Sequence, residues 1–368
     1  MEDLFRFADD LGPAKIVHLY RPGAGLKAIV VIDNVACGPA IGGVRMAPDV
    51  SVAECARLAR AMTLKNAAAG LAHGGGKAVI FADPRMPAAA KERLMRAFAG
   101  AMRDLAEYIP GPDMGTDERC MAWVRDEIGR AVGLPRVLGG IPLDEIGATG
   151  FGLATAIAAA APRCGLSLRG ARVAVQGFGA VGRHAARFLA EQGAVLVAAA
   201  DSGATLVDPA GLSVADLARL KLAGGGLGDY PGGDKRAPEA IVEVACDIWI
   251  PAARPDVLRA DNIGKLQAKL VAEGANIPAT AEAEAMLHAR GVLVLPDFIA
   301  NAGGVICAAV EYHGGTEALA LAAIAEKIAA NTAEVLDRAA ASGTTPREAA
   351  TAMARARVAE AARCTRWG

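Results

Sequence analysis

Two hydrophobic rhythms divide this chain. In GLKAIVVID, residues 25–33, the β-formers Ile29, Val30, Val31 and Ile32 run up to a turn-prone Asp-Asn pair and predict a strand. Over residues 52–69 the apolar positions take helical spacing: Cys55, Leu58, Met62 and Ala69 fall on one side of the wheel, and Arg57 and Arg60 point away. Lys65 falls inside that apolar stripe. A second strand is expected at 78–81, directly after Lys77. A second helix is expected over about 88–108, ended by Pro110-Gly111-Pro112. Glycine and proline then crowd GGIPLDEIGATG, 139–150, as at a hinge. An alanine-rich helix at 151–161 precedes a strand–turn–helix–strand unit over 171–201. LAGGGLGDYPGGDKR, 222–236, reads as a mobile surface loop, and short strands are expected near Ile248, Leu270 and Leu293, separated by helical stretches. From 317 to 363 the chain is almost all helix former, broken at Ser342-Gly343 and Pro346, and no internal repeat is found.

A length of 368 residues suits two domains better than one core. The hydrophobic fraction of 53% and mean hydropathy of +0.30 come largely from alanine. No apolar run approaches the roughly 18 residues that span a bilayer, and the acidic, mixed first residues do not resemble a signal peptide, so a cytoplasmic protein is expected. A net charge of −1 gives no electrostatic footprint for nucleic acid or an anionic membrane, and neither is expected as a partner. The cysteines are scattered without CxxC or Cys/His clustering, which predicts reduced thiols and no metal site.

RVAVQGFGAVG, 172–182, places Gly177-x-Gly179-x-x-Gly182 straight after an apolar strand and at the start of a helix. A further strand ends at Asp201, 201 − 182 = 19 positions past the last glycine, where a ribose-binding acid is expected. The nucleotide-binding candidates are Gly177, Phe178, Gly179, Ala180, Val181, Gly182 and Asp201. The glycines let the backbone approach a pyrophosphate, and the helix N-terminus offers amide donors. Asp201 would accept from a ribose diol and repel a 2′-phosphate, making NAD the expected cofactor ahead of NADP. Ser202-Gly203-Ala204 are nevertheless small enough to admit a phosphate.

LKNAAAGLAHGGGK, 64–77, sets Lys65 and Lys77 among alanines and glycines with no acidic neighbour. A lysine desolvated without a partner gives up its charge more readily and then exchanges protons near neutral pH. Lys77, between glycines and a strand, is where a substrate can come close. Lys65 could stay charged and bind a carboxylate delivered by the ligand. Snorkelling to solvent is the alternative for both. Asp113 sits on a rigid Pro/Gly loop and could shuttle protons to a neighbouring lysine. Capping a helix is its alternative role, although Asp117 is the better cap.

These segments resemble the glutamate/leucine/phenylalanine/valine dehydrogenase superfamily over nearly the whole chain. The resemblance is carried by GPAIGGVRM (38–46), MTLKNAAAGLAHGGGK (62–77), PDMGT (112–116), GATGFG (147–152), QGFGAVG (176–182), PAA (251–253), EGAN (273–276) and DFIANAGGV (297–305). It implies an α/β fold of two domains separated by a cleft. One is an N-terminal mixed α/β substrate domain, 1–147, with a returning helix at about 335–368 and the contacts of a homo-oligomer. The other is a Rossmann-type, doubly wound dinucleotide-binding domain, 148–334. The implied activity is oxidative deamination of an L-amino acid to a 2-oxo acid and ammonia. Within the family pattern Lys65 matches the lysine that holds the substrate α-carboxylate, Lys77 the catalytic lysine and Asp113 the proton-transferring acid. Thr149 matches a threonine near the nicotinamide carboxamide, Ala252 falls in the cofactor-binding PAA segment, and Asn276 and Asn301 match asparagines lining the nicotinamide and substrate cleft.

Glutamate-specific relatives carry a lysine just before the Gly-Gly of the first motif, where this chain has Ile41 before Gly42. They also carry a serine seven positions after the asparagine of NAGGV, and 301 + 7 = 308 is Ala308 here. A γ-carboxylate without those contacts would be buried unpaired, at a cost of several kcal/mol. An apolar substrate of the leucine, valine or phenylalanine type is therefore expected. DSGATLVDPAGL, EGAN and PDMGTDERCMAWV look more like the glutamate branch, so glutamate stays open. A hydroxy-acid dehydrogenase is a rival reading, but none of the histidines, His73 included, has a persuasive acidic partner. A non-catalytic NAD-binding regulatory protein is another.

Overall fold

A computed structural model describes residues 5–365. The chain forms two compact units: the first holds residues up to Leu143, Val305–Ala320 and the segment from Met353 onward, and the second holds Asp144–Gly304 with Leu321–Ala352. Only the part of the expected returning segment beyond Ala352 joins the first unit. Leu321–Ala352 stays with the second because Arg347 is drawn to its carboxylates and Ile328 packs against the backbone at Gly152.

The first unit is built on strands β1 (Lys15–Arg21), β2 (Leu26–Asn34), β3 (Ala40–Ala47), β4 (Gly74–Phe81) and β5 (Tyr108–Pro112), in the order β1-β2-β4-β3-β5. Helix α1 (Val52–Ala68) covers one face, where Cys55 and Ala59 pack on Ile29, Val31 and Val79. Helices α2 (Ala88–Ala101) and α3 (Glu118–Ile128) cover the other around Phe98, Met95 and Val124, and Asp117 caps α3 as expected.

Several sequence expectations shift here. Strand β4 begins at Gly74, not after Lys77, because its glycines are needed within the sheet: a Cβ on Gly75 would lie 2.0 Å from the Thr63 nitrogen of α1. Ile109-Pro110-Gly111-Pro112 is an edge strand paired with β3, where proline is tolerated, and the second helix ends before it at Ala101. The buried stripe of α1 also differs. It runs through Cys55, Ala59, Thr63 and Asn66, since Thr63 donates to Asp33 and Asn66 donates to the Gly74 carbonyl. Arg60 does not point away, but meets Asp33 at 2.8 Å.

The second unit begins within the short α4 (Leu143–Ile146) and continues with α5 (Ala148–Ala160). Its sheet contains β6 (Arg172–Gln176), β7 (Val195–Ala200), β8 (Thr205–Val207), β9 (Asp234–Arg236), β10 (Ile248–Pro251), β11 (Leu270–Ala272) and β12 (Leu293–Leu295). The order β12-β11-β10-β6-β7-β8-β9 is parallel through β7 and antiparallel at β8 and β9. Helices α6 (Ala180–Glu191), α7 (Val214–Leu222) and α8 (Ala281–Ala289) complete the wound part, and the short α9 (Asp297–Ala300) follows β12. The remaining helices are α10 (Gly303–Tyr312), α11 (Glu317–Ser342) and α12 (Pro346–Cys364). The 222–236 segment is not a mobile loop: its end forms β9, and its middle donates the Leu227 amide to Asp201. Among the described residues no helix is long and apolar enough to cross a membrane.

Candidate active site

In the first unit Lys77 meets the acid that its sequence neighbours do not provide. Its Nζ lies 2.7 Å from Asp113 Oδ2, at the end of β5, with 8% of the lysine side chain exposed. The setting is thus not partnerless, as the sequence implied, because parallel pairing brings β5 beside β3 and β3 beside β4. Arg45 on β3 also reaches Asp113 Oδ2, at 3.2 Å, and pairs with Glu54 at 2.6 Å. Burial works to raise the pKa of Asp113, but the Lys77 charge and hydrogen bond and the Arg45 charge hold it below the ordinary carboxylate value. Thr116 steadies the turn, accepting from the Asp113 amide and donating to the Val44 carbonyl.

Alternation along the strands places the other candidates. Lys77 shares its face with Val79, which packs on α1, the helix that carries Lys65 in its last turn. Gly43 faces the same way: a Cβ there would lie 2.7 Å from Asp113 Cβ and 3.2 Å from Lys77 Nζ. Ile41, two residues earlier, is buried on that face. Gly42 is fixed between strands, with its carbonyl accepting from the buried Tyr108 hydroxyl at 2.8 Å. Ala308 is buried in α10. His73 lies in the loop before β4 and is buried there: its Nδ1 faces the Pro39 carbonyl at 3.0 Å and its Nε2 faces His313 Nε2 at 3.1 Å. Burial, opposed by that carbonyl and assisted by His313, lowers its pKa.

In the second unit Gly177, Phe178, Gly179, Asp201 and Ala252 line one cavity of about 880 Å³. It opens at the carboxyl ends of β6 and β10, where the strand order reverses. Gly177 has φ +94°, and a Cβ there would strike Ala253, while a Cβ on Gly182 would lie 2.2 Å from the Gly177 carbonyl. A Cβ on Gly179, the residue before α6, meets nothing within 4 Å, so open space lies where a pyrophosphate would rest. Phe178 lines the cavity as a buried residue, and Ala180, Val181 and Gly182, which are not among the lining residues, form the first turn of α6. These features fit a dinucleotide.

Asp201 lines the cavity, and its carboxylate also bonds to the protein. Its Oδ1 accepts from the Gly203 and Ala204 amides, and its Oδ2 from Lys221 Nζ at 2.8 Å and the Leu227 amide at 2.9 Å. Burial opposes ionisation, yet these donors, Lys221 foremost, bring its pKa down to about 2. The carboxylate is engaged by the protein on both oxygens, with a lysine beside it. Asn301 Nδ2 donates to Asn276 Oδ1 at 3.1 Å and to the Gly274 carbonyl, and Asn301 Oδ1 is buried without a hydrogen-bond partner among the described residues. Thr149 lies in the first turn of α5, with its hydroxyl facing Gly304.

Arg45, Tyr108 and Lys221 were not singled out by the sequence. Arg45 stands inside GPAIGGVRM, and its position two residues past Gly43 was the available signal. Lys221 is 221 − 201 = 20 positions from its partner, and no pattern reports it.

Comparison with known proteins finds the description "Glutamate/Leucine/Phenylalanine/Valine dehydrogenase" over residues 139–366 and "Glu/Leu/Phe/Val dehydrogenase, dimerisation domain" over 17–130. The glutamate dehydrogenase of Aeropyrum pernix is 39% identical over 322 residues, covering 82% of this chain and 77% of that protein. The NADP(+)-dependent glutamate dehydrogenase of Pyrobaculum calidifontis is 39% identical over 308 residues, covering 77% and 71%. Among solved structures, the leucine-bound hetero-hexameric glutamate dehydrogenase from Thermus thermophilus aligns with a TM-score of 0.84 at 33% identity, over 96% of this chain and 90% of that one. The L-tryptophan dehydrogenase from Nostoc punctiforme aligns with a TM-score of 0.75 at 27% identity, over 96% and 97%.

Proposed function

This chain belongs to the glutamate/leucine/phenylalanine/valine dehydrogenase family and is an amino-acid dehydrogenase using a pyridine nucleotide, and on that premise we propose that it oxidatively deaminates an apolar L-amino acid. The observation that carries the substrate assignment is the face shared by Lys77, Gly43 and buried Ile41. In the net reaction amino acid, water and oxidised nucleotide give 2-oxo acid, ammonium, reduced nucleotide and a proton. A bound nicotinamide supplies the hydride acceptor. Lys65 holds the α-carboxylate. The Lys77–Asp113 pair, linked at 2.7 Å, passes protons as the iminium forms and as water adds, and Lys77 donates to the developing carbinolamine oxygen. The absent side chain at Gly43 lets Asp113 and Lys77 come together over that strand. Arg45 keeps Asp113 anchored when Lys77 turns to the substrate.

Ile41 and Ala308 offer a γ-carboxylate no partner, which favours leucine, valine or an aromatic side chain. A structural relative is named for tryptophan, in keeping with this reading. The second reading is glutamate, the substrate in the names of the sequence relatives. Steady-state assays with leucine, valine, phenylalanine, tryptophan and glutamate decide: kcat/KM should be highest for an apolar substrate, and a preference for glutamate reverses the assignment. Absence of turnover with all of them, and of ammonia-dependent turnover with the matching 2-oxo acids, would favour a non-catalytic nucleotide-binding protein. We also place the enzyme in the cytoplasm, as a homo-oligomer whose subunit contacts lie in the first unit.

For the nucleotide, Lys221 neutralises the charge by which Asp201 would exclude a 2′-phosphate, so we propose that NADP is accepted as well as NAD. Lys221→Met should lower kcat/KM for NADP by about 10- to 100-fold, the worth of one charge-assisted contact, and change that for NAD much less. Equal losses with both nucleotides would remove Lys221 from the 2′ position.

A further inference from the structure

Behind Asn276 and Asn301 lies a set of charges that the catalytic scheme does not use. Arg347, at the start of α12, has its Nη2 2.6 Å from Glu273, its Nε 2.7 Å from Glu284 and its Nη1 2.9 Å from Asp297. Side-chain exposure is 0% for Glu273, 7% for Glu284 and 8% for Asp297, so the guanidinium is shared among three carboxyl groups withdrawn from water. Burial pushes the Glu273 carboxyl well above the ordinary carboxylate range. Arg347 opposes that rise, while the Glu284 and Asp297 charges and a hydrogen bond with Glu284 add to it. Burial also disfavours the Arg347 charge, but the acids more than offset it and raise its pKa.

Two of the acids, Glu273 and Asp297, reach the two asparagines through the backbone, and Glu284 joins them through Arg347. Glu273 opens the segment that carries Asn276, and its Oε2 accepts the Asp297 amide at 2.9 Å. Asp297 opens α9, which ends beside Asn301, and its Oδ2 accepts the Ile277 amide at 2.9 Å. Ile277 directly follows Asn276 and has φ +52°, a left-handed backbone that a β-branched residue adopts only under constraint. Asn301 closes the other side by donating to Gly274 and Asn276. The turn at 273–277 and helix α9 are thus clamped to each other at both ends, and Arg347 is the cation common to one clamp.

We propose that Arg347 is a positioning residue for the nicotinamide pocket: by holding Glu273, Glu284 and Asp297 together it fixes the strained turn at Ile277 and so the amides of Asn276 and Asn301. The proposal rests on the reading that these asparagines meet the nicotinamide. Asn301 Oδ1, buried and without a partner among the described residues, is the acceptor this arrangement holds for a carboxamide donor.

The test compares the affinity of the full-length protein for reduced dinucleotide with its affinity for ADP-ribose and its 2′-phosphate, which lack the nicotinamide. Arg347→Lys keeps a charge but loses the fork that serves three acids. It should weaken reduced dinucleotide binding about tenfold and lower kcat by up to about 100-fold while leaving the fragments bound as in wild type. Glu284→Gln, the milder change, should move the same two quantities in the same direction by less, and it serves if Arg347→Lys does not fold. Equal weakening of dinucleotide and fragments, or wild-type behaviour of a folded variant, overturns the proposal. Asn301→Ala run in parallel separates the two levels. If it loses dinucleotide affinity and Arg347→Lys does not, only the positioning role fails. If Asn301→Ala itself changes nothing, the nicotinamide reading fails and takes the proposal with it.

Discussion

Lys77→Ala should lower turnover by about 10³- to 10⁴-fold, the combined scale of losing a general acid–base and an oxygen-stabilising donor. The variant should still fold, because Asp113 keeps Arg45 as a counter-charge and the Thr116 bonds that hold its turn. Nucleotide affinity should be close to wild type, since the glycine turn, Asp201 and Lys221 all belong to the other compact unit. Lys77→Arg should fail to rescue. The guanidinium does not release a proton near neutral pH, and little space is left beside Gly43, whose added Cβ would already lie 3.2 Å from the lysine nitrogen. Turnover with saturating substrate, alongside a fluorescence titration with reduced nucleotide, checks both halves. A variant within tenfold of wild type would remove Lys77 from the chemistry.

The largest loss of stability is expected from Gly42→Ala. A Cβ there would sit 1.7 Å from the Gly76 carbonyl oxygen on the neighbouring strand, and backbone in mid-sheet has nowhere to move. Strands β3 and β4 would have to part at the point where Lys77 is held, costing roughly 3 kcal/mol or more. For a domain of this size that lowers Tm by about 10 °C, or prevents soluble expression. Gly179→Ala is the counterpart. Its Cβ meets nothing in the protein, so Tm should be unchanged while reduced nucleotide binds at least about tenfold more weakly, the methyl occupying space kept for phosphate. Thermal melting and nucleotide titration of both variants separate a glycine kept for the fold from one kept for the ligand.

Local patterns were legible in this sequence, and contacts between distant segments were not. The wound unit from β6 to β7 was readable because strand, glycine turn and helix are contiguous. Asp117 was recognisable as a cap because capping is a short-range bond. The start of β4 is hidden in the sequence because GGG reads as a breaker, whereas here each glycine admits a neighbour's backbone or ring. Leu222 to Arg236 looked loop-like for the same reason, although Asp201 and β8 hold it. The contact of Arg60 with Asp33 is invisible on a helical wheel, which cannot show a carboxylate arriving from β2. The expected roles of Lys77 and Asp113 drew on their own segments. The arginine that shares Asp113, and the lysine that occupies Asp201, came only with tertiary structure.

The catalytic pair is held by strand register, with Lys77 on β4, Arg45 on β3 and Asp113 just past β5. Side chains alternate faces along a strand, so a slip of β3 by a single residue would turn Arg45 to the opposite side and push Gly42 or Val44 toward the ammonium. No partially paired sheet can then be weakly active. Competence arrives all at once, when three segments spread over 113 − 45 = 68 positions of sequence have found their one alignment, and activity in a refolding mixture counts correctly assembled sheets.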